Sequence, residues 1–204
     1  MTVSEKECKT LKLILDRIKS SVNVEHKYID FTRENGWSYS DVLYSFKGIY
    51  TLGINVFYPE LVELRGRIIR PKGDGRRLVY SQAYLEAHYS RFEKLNSLEE
   101  LNSFIEKYEK IGNIIPIWPG GNVHRGQFQC YDIPNVYFND PKISSFVESY
   151  NSSIVEDKNK IPNLKEYSID YLIHMNEEKY KNFLVEIVKN IDERTKLLDP
   201  SGSW

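Results

Sequence analysis

Six cations, Arg65, Arg67, Arg70, Lys72, Arg76 and Arg77, fall within thirteen residues and are opposed there only by Asp74. A guanidinium is planar, permanently charged and carries five donors, so it matches phosphate oxygens better than an ammonium does. The turn-rich run Pro71-Lys72-Gly73-Asp74-Gly75 lies inside this stretch. It predicts a hairpin in which Arg67–Arg70 pairs with Arg76–Tyr80. Alternation along such a hairpin brings several guanidiniums to one face, and the glycines let backbone amides approach an anion. The chemistry is that of binding a nucleic acid or a phosphorylated ligand. The plainer reading is a solvated hairpin whose arginines pair with acidic residues in the helices at 93–109.

A second concentration of chemistry runs from Ile111 to Gly126, IGNIIPIWPGGNVHRG. Gly112 and Asn113 suit a left-handed helix exit, and Ile-Ile-Pro-Ile suits a buried edge strand. Asn122, His124 and Arg125 then gather amide, imidazole and guanidinium groups in a glycine-rich loop, where binding groups are commonly presented. His124 is a candidate general base because a free imidazole titrates near neutrality. The same residues also read as a structural loop whose Asn and His cap backbone groups. Trp118, Phe128, Tyr131, Tyr137 and Phe138 follow closely; they are able to stack on bases, or to form the core beneath an irregular loop. The expected ligand-binding set is therefore Arg67, Arg70, Lys72, Arg76, Arg77, Asn113, Asn122 and Arg125, with His124 and His88 as catalytic candidates.

The run Ile-Gly-Asn-Ile-Ile-Pro-Ile, with Asn122 and Arg125-Gly126 after it, resembles a segment of uncharacterised bacterial proteins that carry IGN-[FL]-IP, then an Asn and an Arg-Gly. It is more remotely similar to HNH-type nucleases of modification-dependent restriction systems, which have an Ile-Gly-Asn-Leu-Thr-Leu segment and a downstream Asn. The likeness covers 16 of 204 residues. It implies a bacterial protein and a metal-dependent nuclease among the readings, with a role in phage defence. Those nucleases need a His in a His-Ile-Leu-Pro context upstream. Here the nearby upstream histidine is His88, in the helical-looking Leu85-Glu86-Ala87-His88-Tyr89. Without a His at a strand end, water activation beside a metal lacks its base.

Other chemistries leave no trace. GxxxxGK[ST], HExxH, paired CxxC and GxSxG are missing, and Gly73-Asp74-Gly75-Arg76-Arg77-Leu78 fails the dinucleotide fingerprint at its third glycine. His26, His88, His124 and His174 have no ligand spacing, so no metal and no cofactor is expected. Glu60, Glu63, Asp132 and Asp140 are carboxylates whose spacing forces no pair together. With 28 Lys and Arg against 29 Asp and Glu, the net charge is −1, which excludes binding by bulk positive charge. Fifteen Tyr and nine Phe exclude a chain without a core. Cys8 and Cys130 lie far apart, and no run reaches the roughly 20 apolar residues of a membrane span. A cytoplasmic protein without membrane contact is expected.

The elements that must hold these groups read as follows. Ser4 and Glu7 form a capping-box pattern ahead of a helix with Leu11, Ile14, Leu15, Ile18 and Val22 on one face. A second helix is predicted from Ser40 or Asp41, burying Val42, Leu43, Phe46, Ile49 and Tyr50 and stopping at Gly53. A helix over 81–95 follows. Ser97 and Glu100 then form a second capping box for a helix lined by Leu98, Leu101, Ile105, Tyr108 and Ile111, ended by Gly112. Ile114–Trp118 and Val136–Phe138 are short strands and 142–150 a short helix. The polar run 151–163 is a mobile loop. A last helix from Asn176 buries Phe183, Leu184, Ile187, Val188 and Ile191, and the C-terminal tail frays. The expected fold is one helix-rich α+β domain, residues 1–204, with a small central antiparallel sheet or hairpin. A binder of an anionic ligand or nucleic acid leads the functional readings. An HNH-like nuclease and a protein-interaction or inhibitor module are its alternatives.

Overall fold

The computed structural model describes residues 40–66, 68–72, 92–116, 167–198 and 201–202. Expectations for the helices at 4–22 and 142–150, the strand at 136–138 and the loop at 151–163 lie outside the described residues, as does the 81–95 helix up to residue 91, while its last residues, 93–95, are helical. The described residues form a helix-rich unit: β1 (Ser40–Val42), α1 (Phe46–Phe57), β2 (Val62–Arg65), β3 (Ile68–Pro71), α2 (Glu93–Asn96), α3 (Glu99–Lys107), β4 (Ile114–Pro116), α4 (Ile169–Ile173) and α5 (Glu177–Leu198). The strands meet as two separate antiparallel pairs, β1 with β4 and β2 with β3. No described helix is long and apolar enough to cross a membrane.

Helix α1 runs through the centre of the core. Ser45 is extended at φ −79° and ψ 135°, and its hydroxyl accepts from the Gly48 amide at 2.9 Å, satisfying a free donor of the first turn. Phe46, Ile49, Tyr50, Leu52 and Ile54 are all buried. The helix stops at Phe57 because Pro59 follows and disfavours helical geometry at Tyr58, which adopts φ −140° and ψ 54°. The expected start at Ser40 or Asp41 is corrected. Those residues pair instead with Pro116 and Ile115, and the strand passes through a turn before Ser45 caps the helix. Val42, Leu43, Phe46, Ile49 and Tyr50 are buried as expected, but by a strand, a turn and a helix in succession.

The expected stop at Gly53 is also corrected, since Gly53 lies inside α1. A Cβ there would meet the Leu95 side chain and the Tyr180 hydroxyl, each at 2.6 Å. That hydroxyl donates to the Ile49 carbonyl at 2.9 Å, one turn before Gly53. The bare backbone at Gly53 thus leaves room for Tyr180 of α5 to reach a helix carbonyl, which gives the fully buried phenol its partner.

Helix α3 follows α2 directly. Ser97 closes α2, its hydroxyl donating to the Lys94 carbonyl at 3.2 Å, while Leu98 takes the N-cap position of α3 with no side-chain bond. The expected Ser97–Glu100 capping box is therefore not formed. Glu99 and Glu100 still place negative charge in the first turn, where the helix dipole favours it. Leu101, Phe104, Ile105 and Tyr108 are buried, and Ile111 beyond the helix joins them. The helix ends at Lys107, ahead of Gly112.

Helix α5 closes the structure. The Asn176 side chain accepts from the Lys179 amide at 2.9 Å at its start. Tyr180, Phe183, Leu184, Ile187 and Ile191 form one buried stripe at helical spacing, with Val188 partly buried beside it. This face packs on α3 and α1. Salt bridges Lys107–Asp192 and Lys94–Glu177, both 2.8 Å, fasten its rim. The exposed Lys94–Glu177 pair lies in the range where surface ion pairs contribute little. Ser168 caps the short α4 by accepting from the Tyr171 amide at 3.1 Å. The Asn55 amide of α1 donates to the Ile173 carbonyl at 2.9 Å and ties α4 down.

Aromatic contacts fill the interior. Phe46 stacks on Tyr50 with ring centroids 5.4 Å apart, and Tyr50 meets Phe92 edge-on at 6.4 Å. Because Gly53 lies within this packing, Gly53→Ala is expected to destabilise the fold by about 1–3 kcal/mol through overpacking. Helix propensity alone would favour alanine by about 1 kcal/mol. Urea unfolding reads the balance, and a variant as stable as the parent would remove the role given to the glycine.

Candidate functional site

The described part of the cationic run lies on the hairpin of β2 and β3. Its pairs are Val62 with Pro71, Glu63 with Arg70, Leu64 with Ile69 and Arg65 with Ile68. The described partner of 68–71 is 62–65, across a turn at Gly66, while the expected partner 76–80 and most of the expected turn at 71–75 lie outside the described residues. Gly66 has φ 64°, and no atom lies within 4 Å of a Cβ built there. Its role is conformational: a tight hairpin loop needs a residue with positive φ, which glycine adopts at little cost. Val62 and Ile69 are buried, whereas Leu64 is 47% exposed toward the turn. Since paired residues share a face and neighbours alternate, positions 63, 65, 68 and 70 form the ladder face opposite Val62 and Ile69. Glu63 stands directly across from Arg70.

Lys72 is exposed, and its amide donates to the Leu61 carbonyl at 2.9 Å, which closes the hairpin's base. Arg67, Arg76, Arg77, His88, Asn122, His124 and Arg125 lie outside the described residues. Among the described residues no group of three or more His, Cys, Asp or Glu is arranged to hold a metal ion.

The segment from Ile111 to Pro116 has its geometry set by α5. Ile111–Asn113 is a short 3-10 turn leading into β4, and Gly112 does not take the expected left-handed exit: positive φ among described glycines occurs at Gly66 and Gly202. Glycine is needed at 112 because α5 passes too close for a side chain. A Cβ would run into the Ile191 carbonyl and come within 2.6 Å of the Thr195 amide nitrogen. Thr195 takes the opening so left: its hydroxyl accepts from the Gly112 amide at 3.1 Å and donates to the Ile191 carbonyl at 2.8 Å.

Asn113, expected among the ligand-binding groups, is fully buried. Its side-chain oxygen accepts from the Tyr44 amide at 2.8 Å. Its nitrogen donates to the Tyr108 carbonyl at 2.9 Å and to the Tyr44 carbonyl at 3.3 Å. The Leu43 amide also donates to the Asn113 carbonyl. One side chain therefore ties the end of α3 to the approach to α1, and its amide is engaged on backbone atoms on both sides. The work it does is structural.

Three polar residues on one face of α5 complete this clamp. Arg194, 3% exposed, donates through Nε to the Gly112 carbonyl at 2.7 Å and through a terminal nitrogen to the Ile114 carbonyl at 2.9 Å. One turn earlier, Asn190 donates to the Tyr44 hydroxyl at 3.1 Å. Glu186, a further turn back, is close enough to influence Tyr44. Burial raises the Tyr44 phenol to about 12, and Glu186 pushes the same way, while the Asn190 bond and Arg194 act against them. Neither Tyr44 nor Arg194 stands out in a search for catalytic or binding motifs. The available signal is periodicity: Arg194 falls three residues after Ile191 and seven after Ile187, on the buried stripe.

Comparison with protein-family models, with curated proteins and with solved structures finds no match for this chain.

Two measurements test the clamp. Asn113→Ala strands the Tyr44 amide and two carbonyls in the interior, and at about 1–3 kcal/mol per stranded group an overall loss of about 3 kcal/mol is expected in urea unfolding. A loss below about 1 kcal/mol would show that the amide is dispensable. The second is alkaline titration. A phenol whose value is raised from 10.0 to about 12 in the fold stabilises it fully below pH 10 and loses that contribution as pH rises toward 12. Stability is expected to fall across this window, with about 2–3 kcal/mol assigned to Tyr44. Tyr44→Phe should flatten the slope by one proton and leave the contribution of Tyr180, whose phenol is also raised by burial. An unchanged slope would contradict the buried, neutral state of Tyr44.

Proposed function

We propose that this protein binds an anionic ligand, a nucleic acid backbone or a phosphorylated molecule, through the hairpin of β2 and β3 and the cations that follow it. The observation that carries the reading is the hairpin register. It puts positions 65 and 70 on the ladder face opposite the buried Val62 and Ile69, beside a turn at Gly66 that is followed in sequence by Arg67. Lys72, exposed at the base, extends the cationic run toward Arg76 and Arg77. Glu63, opposite Arg70, weakens the field at that rung, so the turn end with Arg65 and Arg67 is the stronger part of the surface. Asn122 and Arg125 of the glycine-rich loop remain in the proposed set, and Asn113 leaves it.

The experiment is a salt titration of binding to a short labelled DNA duplex, its separated strands and inorganic phosphate. If cations of the hairpin neutralise about four phosphates, log K falls against log salt with a slope of about −3 to −4. The triple variant Arg65→Ala, Arg67→Ala, Arg70→Ala should bind at least about tenfold more weakly at low salt and lose about 2–3 from the slope. Circular dichroism serves as the control for folding. Tight phosphate binding with no preference for DNA would assign a small phosphorylated ligand. Absent or salt-independent binding to all probes, or a triple variant that matches the parent, would overturn the proposal.

A further inference from the structure

We draw no further inference here: the strongest candidate, the buried polar pair Asn190 and Arg194 on one face of α5, donates to the Tyr44 hydroxyl and to the Gly112 and Ile114 carbonyls and so belongs to the clamp already described.

Discussion

A peptide segment that runs between two helices must find partners for its amides and carbonyls where no regular ladder supplies them. In this protein the segment is Ile111–Ile114, and the constraint on it is met from both sides. Arg194 and Thr195 of α5 take the Gly112 amide and the Gly112 and Ile114 carbonyls, while the backbone before α1 is held by Asn113. The placement of β4 follows, because a strand of three residues has too few ladder bonds to locate itself. So does that of β1, which pairs with β4 over Ser40–Val42. The start of α1 comes next, since Leu43 and Tyr44 are bonded to Asn113 just ahead of the Ser45 cap. One helix and one asparagine thereby align contacts separated by 69 to 83 residues in the chain.

The clamp and the β2–β3 hairpin sit at different ends of α1. The clamp precedes α1, whereas the hairpin follows it through the 3-10 turn Pro59–Leu61. Twelve helical residues rise about 18 Å, so the two regions attach to opposite ends of a buried rod. The hairpin is held by its own apolar face, with β3 packed against α1, and by the Lys72–Leu61 backbone bond at its base. Its support is thus independent of the clamp, and substitutions at positions 65, 67 and 70 act on a different part of the fold from substitutions at 113 or 194.

What was legible in the sequence follows the range of the forces involved. The α5 stripe could be read because Phe183, Leu184, Ile187 and Ile191 repeat at the helical period within one local window, and Asn176 marks the helix start by a bond to its own third neighbour. The burial of Val42 and Leu43 was legible too, but not their backbone state: the partner that makes them a strand and turn lies about seventy residues on. Gly53 and Gly112 read locally as helix stops, yet both are fixed by α5, whose side chains or backbone lie where a Cβ would be. Ser97 fits a capping box by spacing and instead serves the helix before it. The β2–β3 pairing was not legible, because Gly66 alone is a weaker turn signal than the neighbouring Pro71–Gly75 run. The Ile-Gly-Asn run has no helical or strand period, so its role could not be read from its own residues. Its content is glycine for close approach and asparagine for backbone bonding.

The same physics separates the roles of the arginines. A guanidinium at 3% exposure has lost most of its water, a cost recovered only when its donors meet oriented acceptors. Arg194 meets the Gly112 and Ile114 carbonyls with two nitrogens of one rigid fork, a reach that the single ammonium of a lysine does not reproduce. Arginine at 194 is therefore explained by folding. On the hairpin, Val62 and Ile69 supply the buried contacts and Gly66 the turn.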